Sequence, residues 1–146
     1  MKFAISEAKK ALIKNEVPIG AILVSDGKII ASDHNRCIGN NDPTAHAEIL
    51  TIRSAANKIS NYRLTNTFLY VTMEPCIMCM GAILHARIKK LIFGCYDFKW
   101  GACGTLYNFS EDIRLNHKID VISGVCEDES KNLIQSFFKD KRKLSR

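Results

Sequence analysis

Apolar residues at Phe3, Ala4, Ala8, Ala11 and Leu12, with lysines between them, follow the spacing of one helix face and predict an amphipathic helix from Met1 to Asn15. Val17-Pro18 ends it. The period then shortens to that of strands: Ile19 to Val24 and Lys28 to Ala31 are apolar, β-branched runs on either side of Ser25-Asp26-Gly27, which predicts a hairpin. Asp33 to Asp42 is polar and rich in Asn, and predicts a loop of the kind that carries binding residues on a rigid scaffold. A second helix is predicted after Asp42, with Pro43 near its first turn and Thr44 as an alternative cap, running to about Ser60.

Thr67 to Met73 predicts a strand that leads directly into a helix from Cys76 to about Ala86, with Pro75 at the first helical position. That helix is apolar almost all round, so the rest of the fold or another subunit must cover it. Lys90 to Tyr96 predicts a fourth strand and Ile119 to Gly124 a fifth. Between them, Asp97 to His117 shows no clean period and predicts a loop holding at most a short helix. Glu127 to Lys143 closes the chain as a helix with Leu133, Ile134, Phe137 and Phe138 as its apolar stripe. Alternation of strands and helices after a starting hairpin predicts a three-layer α/β/α domain around a mixed sheet of about five strands, with the strand order left open.

Composition narrows the class without naming a function. The 146 residues fit one domain, 1–146, and 47% hydrophobic with 25% charged residues suits a soluble globular protein. No run reaches the length of a membrane span. Glu7, Lys9, Lys10, Lys14 and Glu16 leave the N-terminal stretch without the apolar centre of a secretory signal, so a cytoplasmic address is expected. That compartment keeps thiols reduced, and six cysteines there point to metal binding or burial rather than disulfides. Cys37, Cys95, Cys103 and Cys126 lack partners at ligand spacing and are expected to be small buried hydrophobes. The net charge is +6, and the last eight residues hold five cations, Lys139, Lys141, Arg142, Lys143 and Arg146, against Asp140. This basic end of the 127–146 segment is either a solvated helix terminus or a contact for phosphates.

Chemistry concentrates in two short stretches. Cys76 and Cys79 stand three residues apart, close enough on a helix to offer two sulfurs to one ion, and a helix N-terminus favours the thiolate form that binds metal. His46 supplies a third ligand, and three protein ligands leave zinc its fourth position for water. Glu48 is then free for another task, moving that water's proton. Residues at i and i+2 do not share a helix face, so His46 and Glu48 can serve one ion only at the N-terminal end of their helix.

His46-Ala47-Glu48 followed by Pro75-Cys76-Ile77-Met78-Cys79 resembles the signature of the zinc-dependent nucleobase deaminases. Asp42 to Ile49, Glu74 to Ile83, His85 to Ile88 and Asp97 to Leu106 extend the resemblance to the bacterial tRNA adenosine deaminases, from about Val17 to Phe138. The resemblance implies the cytidine-deaminase-like fold, one zinc per subunit on His46, Cys76 and Cys79, and Glu48 as the catalytic proton shuttle. It implies conversion of the wobble adenosine of a tRNA anticodon stem-loop to inosine by a homodimer. Asn35, Ala47, Asp97, Lys99 and Phe138 match substrate-contacting positions of that family. Phe137 and Phe138 are adjacent, so one faces the core and only the other can meet a base. His34, His85 and His117 are expected to be non-ligands. Trp100 stands where the family usually carries a small or polar residue, and Thr105 where it carries serine.

Two other functions share the same motifs. The zinc and Glu48 chemistry suits a deaminase of a free base or nucleoside, guanine or cytosine, equally well. A zinc-stabilised, non-catalytic RNA-binding subunit would need the three ligands but has no use for Glu48.

Overall fold

The computed structural model describes residues 1–145; Arg146, the last cation of the basic tail, lies outside the described residues. Chain order is α1 (Lys2–Ile13), β1 (Gly20–Ser25), β2 (Lys28–His34), α2 (Cys37–Asn40), α3 (Ala47–Ile59), β3 (Thr67–Met73), α4 (Ile77–His85), β4 (Lys90–Cys95), β5 (Asp120–Ile122) and α5 (Glu127–Leu144). One five-stranded mixed sheet runs β2-β1-β3-β4-β5. β1 is antiparallel to both β2 and β3, whereas β3, β4 and β5 are mutually parallel. α3 packs on β1, β2 and α4 on one side; α1 and α5 pack on the sheet and on each other on the other side. These are the three layers expected around a mixed five-stranded sheet.

Local chemistry explains where the elements start and stop. Asp26 and Gly27 both take positive φ, the two-residue turn whose twist matches a hairpin, and a bulge precedes it between Leu23 and Val24 of β1. β2 runs three residues further than its apolar run, to His34, because Gly20 pairs with His34 across the ladder. Ser32 and Asp33 are tolerated since β2 is a sheet edge. α1 buries Ala4, Ala8 and Ala11 completely, and small side chains let it lie close to β1. The core beneath α3 and α4 is built from Leu23, Leu69, Val71, Met80, Ile83, Leu91 and Phe93.

Two helix starts differ from expectation. α3 begins at Ala47 rather than after Asp42, because the Asp42 carboxylate accepts the Thr44 N–H at 2.8 Å and its hydroxyl at 2.7 Å, forming a turn that holds Pro43 and Thr44 outside the helix. α4 begins at Ile77, so Pro75 precedes the cap instead of opening the first turn. Downstream, Asp97 to His117 is turns and bends with two isolated bridges and no helix among its residues.

The sheet's connectivity gathers several chain segments at one end. β3 and β4 are adjacent and parallel, with Met73 opposite Cys95, so Glu74 and Asp97 emerge side by side from their carboxyl ends. β1 is antiparallel to β3, which brings its start at Gly20, and the end of β2 at His34, to that same end. Ligand sites in open α/β sheets form in such places.

Candidate active site

α3 and α4 deliver the three ligand candidates from their N-terminal ends. His46 is the N-cap of α3 in an extended conformation, φ −75° and ψ 152°, and Glu48 follows at the second helical position. The backbone therefore turns between them, and their side chains leave in different directions as the i, i+2 spacing requires. Cys76 is likewise the extended N-cap of α4, φ −75° and ψ 176°, with Cys79 at its third helical position. The positive ends of two helices thus face one cluster, which favours thiolate.

Nδ1 of His46 lies 3.6 Å from Sγ of Cys76 and 3.5 Å from Sγ of Cys79. All three ligand atoms fall within 4.8 Å of one another. Zinc–nitrogen and zinc–sulfur bonds of roughly 2.05 and 2.3 Å at a tetrahedral angle place their ends roughly 3.6 Å apart, so the triad fits one zinc ion. The Cys76 thiol is lowered to about 4, chiefly by a hydrogen bond from Cys79, with burial opposing and His46 assisting. Cys79 is driven upward by the same shared proton and by burial. His46 is raised, mainly by its bond to Cys76. The three groups share protons that a cation would displace, as metal sites do.

Glu48 stands beside this triad without joining it. It is 4% exposed, and burial pushes its carboxyl up to about 7. A buried carboxyl that changes charge near neutrality can both accept and return a proton.

Asn35, just past β2, is 5% exposed, and its Oδ1 accepts the Ala47 N–H at 2.8 Å. That bond satisfies the first free amide of α3 and fixes the side chain, leaving the Asn35 amide nitrogen as the group able to donate outward. Ala47 itself is fully buried and meets Asn35 through its backbone N–H.

Sequence reasoning missed Glu74 as a functional residue. It is 2% exposed, and its carboxylate accepts the N–H groups of Asp97 at 3.2 Å, Cys103 at 3.0 Å and Thr105 at 3.2 Å, together with the Thr105 hydroxyl. A Cβ on Gly101 would collide with this carboxylate and with the Asp97 carbonyl, so only glycine permits the approach. Ala102 N–H also donates to the Pro75 carbonyl at 2.9 Å. The loop after β4 is in this way strapped to the segment that carries Cys76. Its signal was present in Glu74-Pro75-Cys76, but the partners lie 23 to 31 residues away and most are backbone amides.

Asp97 Oδ1 accepts the N–H groups of Lys99 at 2.9 Å and Trp100 at 3.2 Å, so its carboxylate shapes its own loop. Lys99 and Phe138 line a cleft of about 820 Å³ between that loop and α5, together with Met73 from the end of β3. Phe137 is 7% exposed and Phe138 45%, the expected division between core and surface. Cys95 and Cys103 are buried, each thiol raised to about 11 by burial. Cys37 and Cys126 are only half-buried, contrary to expectation, because each sits at a helix terminus. His34 bonds Glu7 at 2.9 Å, His117 donates to the Ile88 carbonyl at 2.8 Å, and His85 is exposed.

Comparison with known proteins places this arrangement. The family described as MafB19-like deaminase matches residues 1–142. A tRNA-specific adenosine deaminase of Haemophilus influenzae is 48% identical over 97% of this chain and 83% of its own length. One from Bacillus subtilis is 48% identical over 98% of this chain and 89% of its own. A solved structure from work on A-to-I editing by tRNA:A34 deaminases at the wobble position of transfer RNA superposes with a TM-score of 0.88 at 46% identity, covering 91% of this chain and 96% of that one. With likeness running the length of the chain in both sequence and fold, the protein belongs to the deaminase family, among the bacterial tRNA-specific adenosine deaminases.

Proposed function

We propose that this protein hydrolyses adenosine to inosine at the wobble position of a tRNA anticodon, with His46, Cys76 and Cys79 holding one zinc per subunit and Glu48 carrying the protons. The observation that supports this most is a buried carboxyl beside three converged ligand atoms but outside their cluster. A purely structural metal site has no need of it. Zinc in such a site supplies an acidified water, its pKa lowered to roughly 7.

The chain's own residues then carry the chemistry. Glu48 takes a proton from the water as the oxygen bonds to C6 of adenine. It returns that proton to the ring nitrogen, takes the second hydroxyl proton, and delivers it to the departing amine. Ammonia leaves and the base becomes hypoxanthine, with water and adenine fully accounted for. Asn35, oriented by Ala47, holds the nucleotide through its amide.

A base paired in a stem cannot reach the site, so the substrate nucleotide is splayed from a loop, as in an anticodon. The names of the relatives and the basic cleft beside α5 favour RNA over a free base. Within that cleft Lys99 and Phe138 meet the RNA, and Asp97 keeps the loop in shape. The protein acts in the cytoplasm as a homodimer: α4 turns Cys79, Met80 and Ile83 inward but leaves Ile77 39% and Met78 36% exposed, an apolar face for a second copy. Among the described residues no helix is long and apolar enough to cross a membrane.

Glu48→Gln tests the assignment. Zinc content by plasma mass spectrometry should equal that of the parent protein, while inosine formation in an anticodon stem-loop should fall about 10²- to 10⁴-fold. Undiminished turnover removes Glu48 from the reaction; loss of zinc would make it a ligand.

A further inference from the structure

Trp100 is a large aromatic left exposed at the surface, and nothing in the reaction just described uses it. It is 62% exposed, yet its backbone is fixed. Its N–H is held by Asp97, and the loop on either side is strapped by Glu74 to the segment bearing Cys76. An aromatic ring carried on a rigid loop keeps its entropy cost low when something stacks on it.

Across the same cleft stands Phe138, 45% exposed and packed edge-on against buried Phe137, with ring centroids 5.3 Å apart at 77°. Lys131, Phe138 and Arg142 fall at helical spacing on one face of α5, and all three line the cleft. Lys99 and Lys139 add two more cations, giving four against two carboxylates along its walls. Aromatic faces bordered by cations are how single-stranded nucleic acid is bound: bases stack and phosphates pair.

We propose that Trp100 and Phe138 form a stacking subsite for one unpaired base next to the reacting adenosine, with Lys99, Lys139 and Arg142 on the flanking phosphates. This rests on RNA being the substrate, as assigned above, and adds a determinant of which nucleotides are accepted beside the adenosine. Stacking tolerates any base but favours the larger purine surface, so the subsite ranks neighbours by size rather than by hydrogen-bond pattern.

Trp100 is the only tryptophan in the chain, so its fluorescence reports the subsite directly. The zinc-loaded protein is titrated with an anticodon stem-loop, following indole quenching and, in parallel, anisotropy of an end-labelled copy. Quenching should track binding. An abasic residue on one side of the adenosine should abolish it and weaken affinity about 5- to 150-fold. Trp100→Ala should lose a similar factor on the intact loop and nothing further on the abasic one, while Trp100→Phe restores most of the affinity. Binding without quenching, no binding at all, or Trp100→Ala binding as tightly as the parent would each overturn the subsite. Quenching without inosine formation would support the subsite and sink the assigned reaction; inosine without quenching would do the reverse.

Discussion

Glu74→Gln puts the strap between the β4 loop and the cysteine segment to a quantitative test. In the parent, one carboxylate oxygen takes the Asp97 N–H and the Thr105 hydroxyl, and the other takes the Cys103 and Thr105 N–H groups. Glutamine keeps the shape but replaces one oxygen with a donor. With its oxygen on Cys103 and Thr105, its NH₂ faces the Thr105 hydroxyl, which can turn to accept, and the Asp97 N–H, which cannot. One orphaned amide costs about 1–3 kcal/mol, and two bonds stripped of their charge cost roughly 1 kcal/mol more, giving a loss of about 2–4 kcal/mol. For a chain of this length that lowers Tm by roughly 6–15 °C. Hydrogen exchange at Asp97, Cys103 and Thr105 should quicken while zinc content holds. A Tm within about 1 °C of the parent with unchanged exchange at those amides would refute the strap.

Asn35→Ala removes the acceptor for the buried Ala47 N–H, so thermal melting should show a loss of about 1–3 kcal/mol together with a fall in kcat/KM; full stability with full activity would refute both roles. Glu7 is pushed up by burial, but Lys10 and His34 outweigh this and its folded pKa lies below the ordinary 4.5. Its contribution is therefore complete above 4.5 and is lost as pH falls through the folded value. In urea unfolding, the gap between the parent and Glu7→Gln should narrow below that pH; a gap that widens in acid would contradict the pairing of α1 with β2.

Much of the fold was legible because its central strands are apolar runs: Ile19 to Val24, Thr67 to Met73 and Lys90 to Tyr96 all became strands within a residue or two. The edge was not, since Ser32-Asp33-His34 faces a partner on one side only and can afford polar residues. Helix starts were misjudged at both prolines. Pro43 and Pro75 signal first turns, but a side-chain turn at Asp42 and an extended Cys76 move the first helical residues four and two positions on, to Ala47 and Ile77. That shift brings His46 and Cys76 to the two helix ends, so the site is better formed than the predicted boundaries allowed. The ligand triad and Glu48 were readable because side-chain identity carries their chemistry. Glu74 was not, because backbone amides bind it and any residue type supplies those.

The most direct test of the assigned reaction is mass-spectrometric detection of inosine after incubating the zinc-loaded protein with an anticodon stem-loop bearing adenosine at the wobble position, alongside free guanine, cytidine and adenosine. Inosine at that one nucleotide, with the free compounds unchanged, is the expected result. Turnover of a free base with the stem-loop untouched would contradict it, leaving the zinc and Glu48 chemistry in place on a different substrate.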